Sequence, residues 1–276
     1  MQPSGIISLT TDFGLSDPYV GQMKGAVLRR NPAVQLVDLS HSIAPQDIIG
    51  AALVLHSSYA FFPTGTVHLV VVDPGVGSER RILAAEGEGH YFIAPDNGIF
   101  CLLLRDRIIE RVHLVEQKAL FAGTVSSTFH GRDIMAPVAA ALAGGLRVAE
   151  VGTETPPASC LCLNLPVAHI SEKSIQGEVL QIDHFGNIRT TIRRTDVQHV
   201  HDVADSHHPD HPHRCRVRIK KYEIAALSTA YAEAVCGELL ALFDSAGYLE
   251  VAVNRGSAAE LTQCRVGDPV RVDFLP

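Results

Sequence analysis

Hydrophobic and polar positions in the first half of the chain follow two alternating rhythms. Residues 6–10 form an apolar, β-branched run ending in Thr11-Asp12-Phe13-Gly14, where the glycine permits a sharp exit. Asp17-Pro18 then reads as an N-cap followed by proline at the first helical position. Tyr19, Val20, Met23, Ala26 and Val27 continue at helical spacing until Asn31-Pro32. The alternation next predicts a strand at 34–39, a helix at 45–59 burying Ile48, Ile49, Ala52, Leu53 and Leu55, and a strand at 67–72. Continuous apolar strands between helices indicate an α/β domain: a mostly parallel, Rossmann-like sheet sandwiched by helices. Residues 82–85 and 91–94 read as a hairpin around Glu86-Gly87-Glu88-Gly89, and 97–104 and 133–143 as helices.

Periodicity is lost between 153 and 173, where Pro156-Pro157 and Pro166 fit a linker. Beyond it, short β-like runs at 177–183, 187–192, 215–219, 248–253 and 269–274 are separated by glycine or polar turns, the pattern of a small antiparallel barrel. The expected organisation is an N-terminal α/β domain at 1–155, a linker at 156–173 and a C-terminal β-barrel domain at 174–276.

Composition narrows the functional classes. The 276 residues are 46% hydrophobic and 19% charged, which excludes a disordered or fibrous chain, and 23 basic against 30 acidic side chains leave a formal net charge of −7. With no Lys/Arg run, neither nucleic acid nor an anionic membrane is an expected partner, and small-molecule chemistry follows by elimination. Six sparse cysteines with one close pair, Cys160 and Cys162, argue against a disulfide scaffold and for two half-buried thiols in a strand-like segment. No signal peptide or membrane span is visible, so the expected location is cytoplasmic.

In an open parallel sheet, ligands bind beyond the carboxyl ends of the strands. Asp12, Asp38 and Asp73 each end a predicted strand. Asp38 reads as an ordinary cap or turn residue, whereas Asp12 and Asp73 precede glycine-bearing turns that let a ligand approach the backbone. Gly75-Val76-Gly77-Ser78-Glu79-Arg80 carries arginine where the dinucleotide fingerprint needs its third glycine, and no P-loop, HExxH helix or GxSxG elbow is present. Asp73, Arg80 and His130, the last within Thr128-Phe129-His130-Gly131-Arg132-Asp133, could together hold and polarise a water; His130 reads equally well as a satisfied turn residue. In the second half, Asp183-His184-Phe185-Gly186-Asn187 and Asp244-Ser245-Ala246-Gly247-Tyr248-Leu249-Glu250 read as hairpin turns or as a pocket for a purine nucleoside or an amino-acid head group.

These strings, with Ala94-Pro95-Asp96-Asn97-Gly98 and Asn254-Arg255-Gly256-Ser257-Ala258-Ala259, resemble in register the S-adenosyl-L-methionine (SAM) hydroxide adenosyltransferases, the adenosine-forming SAM hydrolases related to fluorinase and chlorinase. The resemblance implies a homotrimer with sites between one subunit's N-terminal domain and its neighbour's C-terminal domain. It implies attack of water on ribose C5′ of SAM, releasing adenosine and L-methionine. By the family pattern Asp73, Arg80 and His130 activate the water, Asp12 holds the ribose hydroxyls, Asp183 and Ser245 the methionine head group, and Asn187 the adenine, with Phe185, Glu250 and Val253 lining the pocket. SAM is then the substrate, and neither cofactor nor metal is expected.

Three alternatives remain open: a SAM-dependent halogenase, a non-catalytic SAM or adenosine sensor, and a metal-dependent hydrolase. Halogenases resemble this chain but place tyrosine and threonine in the turn that reads Asp73-Pro74-Gly75-Val76 and a serine near Gly131; a carboxylate at Asp73 repels a halide and suits water. Their ribose-stacking tryptophan is replaced near Gln46, and the chain contains no tryptophan. A stretch at 196–214 with six histidines reads as a surface loop that could bind metal, without a catalytic role.

Overall fold

The computed structural model describes residues 2–198 and 215–275, so most of the histidine-rich stretch lies outside the described residues. The chain divides into two compact units, Met1–Leu163 and Asn164–Pro276, and the boundary falls inside the segment 156–173.

The first unit holds a seven-stranded sheet ordered β2-β1-β3-β5-β4-β6-β7. Its strands are β1 (Ile6–Thr11), β2 (Gln35–Ser40), β3 (Val67–Val71), β4 (Ile82–Gly87), β5 (His90–Pro95), β6 (Arg111–Leu114) and β7 (Glu154–Thr155). Neighbours from β2 to β5 pair in parallel, but β4, β6 and β7 join antiparallel, so the sheet is mixed. The reason is local. Glu88 and Gly89 both adopt positive φ, 46° and 79°, which closes β4 on β5 in a two-residue hairpin of primed-turn form and makes a crossover unnecessary.

Alternation along β3 distributes the core to both faces. Val67, Leu69 and Val71 join the cluster that contains Met23 and Val27 of α1 (Tyr19–Arg30) and Val138 and Leu142 of α4 (Ala136–Ala143). Val70 and Val72 join the opposite cluster, with Ala51 and Leu55 of α2 (Ile48–Ser58) and Leu103 of α3 (Cys101–Arg105). Four local expectations are corrected. Pro18 occupies the N-cap of α1, and no side chain caps that helix. The helix expected at 97–104 is confined to α3, because Gly98 at φ 109° keeps the preceding turn out of helical geometry. The helix expected at 133–143 opens with a π-helical turn, Gly131–Met135, before α4. Asp38 lies within β2, where it pairs with Lys24 at 2.6 Å and His41 at 3.1 Å.

The second unit is an antiparallel, barrel-like sheet ordered β12-β11-β15-β9-β10-β14-β13, with β8 (His169–Ile170) beside β9. It contains β9 (Ser174–Ile182), β10 (Ile188–Arg193), β11 (Cys215–Ile219), β12 (Tyr222–Ile224), β13 (Leu239–Phe243), β14 (Tyr248–Val253) and β15 (Pro269–Phe274). A bridge from Leu227 to Ala241 of β13 nearly closes the ends, and α5 (Ala258–Thr262) sits against β14. All six cysteines are free; Cys160 is buried and Cys162 exposed, in a stretch without strand pairing. Among the described residues no helix is long and apolar enough to cross a membrane.

His68 of β3 is fully buried, with Ser8 Oγ 2.7 Å from its Nδ1, His90 Nδ1 3.3 Å from its Nε2, and the Phe62, Tyr59 and Phe92 rings around it. Burial pushes its pKa down to about 3, and His90 acts in the same direction. Below the unfolded value of about 6.5 the unfolded chain binds a proton that the folded one refuses, so stability present above that pH is lost as pH falls toward 3. Urea unfolding of wild type at pH 7 and 4.5 should show a loss roughly 2–3 kcal/mol larger than in His68→Phe. Equal losses would contradict this assignment.

Candidate active site

The carboxyl ends of adjacent strands β1 and β3 carry Asp12 and Asp73 to a common edge. A pocket of about 290 Å³ opens there, lined among others by Asp12, Phe13, Gln46, Asp73, Phe129 and His130. The β1 exit is held from the β2–α2 connection. Thr11 Oγ1 is 2.8 Å from His41 Nδ1, Gly14 N donates to the His41 carbonyl at 2.8 Å, and Gln46 N donates to Asp12 Oδ2 at 2.8 Å. Gln46 reaches Asp12 with φ of 68°, a left-handed conformation that a non-glycine residue adopts at a cost of order 1 kcal/mol or more. Its backbone, which the periodicity gave no reason to single out, thus orients one carboxylate of the pocket.

Asp73 and Arg80 lie at the two ends of one glycine-bearing loop and form an ion pair whose side chains are only 5% and 9% exposed. Arg80 Nε donates to Asp73 Oδ1 and Oδ2, each at 2.9 Å, and its terminal nitrogen donates to Oδ2. That terminal nitrogen also donates to His130 Nδ1 at 2.9 Å. An arginine has donors only, so Nδ1 must accept, and a neutral His130 carries its proton on Nε2. Burial and the Arg80 charge lower the His130 pKa, outweighing Asp73 and Asp133, which favour the imidazolium.

His130 is itself the residue immediately before the π-helical turn, a backbone irregularity frequent at functional sites. Asp133 braces the turn: its carboxylate accepts from Ser126 N at 2.8 Å and from Arg132 Nε at 2.6 Å. A Cβ at Gly131 would lie 2.9 Å from Val71 Cγ1, so the turn can approach β3 this closely only with glycine there. Phe13, Tyr19 and Phe129 close one side in edge-to-face contacts with centroids 5.6–6.0 Å apart.

The remaining expected residues lie on the second unit, on the β9–β10 turn, the β13–β14 turn and β14. Asp183 organises its own turn: Oδ1 accepts from Phe185 N at 2.8 Å and Asn187 N at 2.9 Å, and Oδ2 from Asn187 Nδ2 at 3.1 Å. Phe185 is 74% exposed. Beside Ser245, Asp244 accepts from Ala246 N and Tyr248 N at 2.9 Å and from Arg189 Nε at 2.7 Å. Glu250 is buried and accepts from Tyr231 OH at 2.7 Å, with Val253 buried further along β14. Burial raises the Glu250 pKa, as do Asp244 and Asp183, against the Tyr231 hydrogen bond and Arg189. Tyr231 and Arg189 escape sequence reading because each acts through a partner distant in the chain.

A model of the SAM hydroxide adenosyltransferase N-terminal domain matches residues 7–152, and one of the C-terminal domain matches 177–271. The chain is 39% identical to an (R)-S-adenosyl-L-methionine hydrolase of Thermus thermophilus, over 95% of this chain and 97% of the relative. It is 36% identical to the protein of the same name from Salinispora tropica, over 99% of each. A fluorinase of Actinopolyspora mzabensis is 28% identical over 97% of this chain and 96% of the relative. The crystal structure of an uncharacterized conserved protein from Thermotoga maritima superposes with a TM-score of 0.85 at 35% identity, covering 97% of this chain and 99% of the other.

The Arg80–Nδ1 bond makes a spectroscopic prediction. Nitrogen-15 NMR should find His130 as the Nε2–H tautomer, titrating below 6.5, and Arg80→Lys should move that titration. A His130 protonated at Nδ1 in its neutral form would contradict the geometry.

Proposed function

The chain belongs to the SAM hydroxide adenosyltransferase family, and from that premise we propose that it hydrolyses SAM to adenosine and L-methionine. The observation that carries the proposal is the Asp73–Arg80–His130 constellation opening on a small pocket at the strand ends.

Water oxygen bonds to ribose C5′ as the C5′–S bond breaks on the opposite side. The electron pair goes to sulfur, which leaves as the neutral thioether of methionine, and one water proton is released. The leaving group is good enough that the enzyme's main task is to hold water about 3 Å from C5′, in line with sulfur. Arg80 supplies no acceptor, and its bond to Nδ1 leaves neutral His130 without a free ring lone pair. Asp73 retains lone pairs beyond those used by Arg80, which supports it as the proton acceptor, with His130 Nε2–H orienting the water or the nascent 5′ oxygen. Arg80 holds both partners and stabilises the negative charge of Asp73. We propose that this step uses no metal or cofactor. A carboxylate in that position also disfavours a halide nucleophile, since like charges repel.

Asp12 is proposed to accept from the ribose hydroxyls, Asn187 to read adenine beside Phe185, and Asp183 and Ser245 to hold the methionine head group, with Glu250 and Val253 in the wall. The carboxylates of Asp183, Asp244 and Glu250 suit an ammonium. We propose that the functional assembly is a homotrimer in the cytoplasm. In it, the N-terminal site residues of one subunit are completed by the C-terminal residues of its neighbour. The exposed Phe185 ring and the free thiols support this reading.

Purified protein should convert SAM to adenosine and methionine at the same rate with and without EDTA, and Asp73→Asn should lower kcat by about 10²–10⁴ while still binding adenosine. Wild-type turnover in that variant would contradict the water-activating role, and tight SAM binding without turnover by the wild type would favour a sensor. Light scattering should give three times the chain mass; a monomer of full activity would contradict the shared site.

A further inference from the structure

Sheet order places the ends of three strands side by side. β5 lies between β3 and β4, so the loop joining β3 to β4 must pass over the carboxyl end of β5. That loop, residues 73–80, carries both Asp73 and Arg80 and includes Gly75 and Gly77, which give its backbone little intrinsic stiffness. The residues that leave β5 under it are Asp96 and Asn97.

These two residues grip both feet of the loop. Asn97 Nδ2 donates to the carbonyl of Val72, the residue before Asp73, at 2.8 Å. Asp96 N donates to the carbonyl of Arg81, the residue after Arg80, at 3.0 Å, and Asp96 Oδ2 accepts from Arg81 Nε at 2.7 Å. Asp96 is 3% exposed. Its second oxygen accepts from Leu161 N at 2.8 Å, so the chain leaving the first unit hangs on the same carboxylate. A Cβ at Gly98 would stand 2.4 Å from Leu163 Cγ, which keeps that exit segment tight against the turn.

We propose that Asp96 and Asn97 are positioning residues for the reaction: neither lines the pocket, but together they set the separation of the loop's feet and hence the register of Asp73 against Arg80 and the attacking water. The proposal rests on the hydrolase reading. A buried carboxylate–guanidinium pair on a glycine-bearing loop needs its ends fixed, because a displacement of about 1 Å at the reacting centre can cost ~10²-fold in rate. The substrate contacts proposed above, at Asp12 and on the second unit, lie elsewhere, so loss of the grip should act on the chemical step.

Asn97→Asp keeps the shape but removes the donor and sets an oxygen against the Val72 carbonyl. Arg81→Lys loosens the other foot while keeping the charge. In folded protein, well below its melting temperature, Asn97→Asp should lower kcat by ~10–100-fold with KM within about 3-fold of wild type, and Arg81→Lys should do the same more weakly. Wild-type kcat in folded Asn97→Asp, or a loss expressed in KM alone, would overturn the proposal. Failure of both variants to fold would also overturn it, by showing a role in stability. A wild type that turns over no SAM contradicts the hydrolase reading; an active wild type with an equally active Asn97→Asp contradicts only the positioning role.

Discussion

The ion pair between Asp73 and Arg80 organises the first unit's pocket. Both side chains are nearly removed from water, and a buried charge whose partner is withdrawn costs about 3–5 kcal/mol. The pair is therefore held in register by its surroundings: β3 and β4 fix where the loop begins and ends, and the turn after β5 fixes how far apart those ends stand. Arg80 then extends the constraint to His130, whose tautomer follows from a single donated hydrogen bond and whose pKa is lowered by burial and by the Arg80 charge.

This arrangement suits a displacement at a sulfonium carbon. Such a reaction needs an oriented, partly deprotonated water and little else, because a cationic sulfur becomes a neutral leaving group. The pocket offers a carboxylate that can accept a proton and a neutral imidazole whose remaining N–H is a donor, both held by an arginine that cannot accept one. Charge is lost as the reaction proceeds, so a water-poor site favours the transition state over the separated, solvated ions.

Much of this was legible in the residues, and the rest fails for identifiable reasons. Apolar runs and strand-end aspartates identify β1, β3 and the pocket edge, because a sheet covered on both faces leaves only its strand ends for polar chemistry. The spacing of Asp73 and Arg80 across a glycine-bearing turn marks the loop. Strand direction is visible only in part: the glycine-bearing run at 86–89 marks the β4–β5 hairpin, which Glu88 and Gly89 close at positive φ, but the antiparallel pairing of β6 with β4 and of β7 with β6 leaves no local mark. The π-helical turn at Gly131–Met135 leaves no mark on helical periodicity. The contributions of Gln46, Asn97, Tyr231 and Arg189 depend on partners between 19 and 55 positions away, and pairings of that kind appear only once the strands are in register.

The proposed reaction depends on water being the atom donor at C5′. The most direct measurement is turnover of SAM by the purified protein in ¹⁸O-enriched water and chloride-containing buffer, with the nucleoside product resolved and weighed by mass spectrometry. Attack by water should give adenosine carrying ¹⁸O at its 5′ position, released together with methionine. A 5′-chlorinated nucleoside, or adenosine without the label, would contradict it.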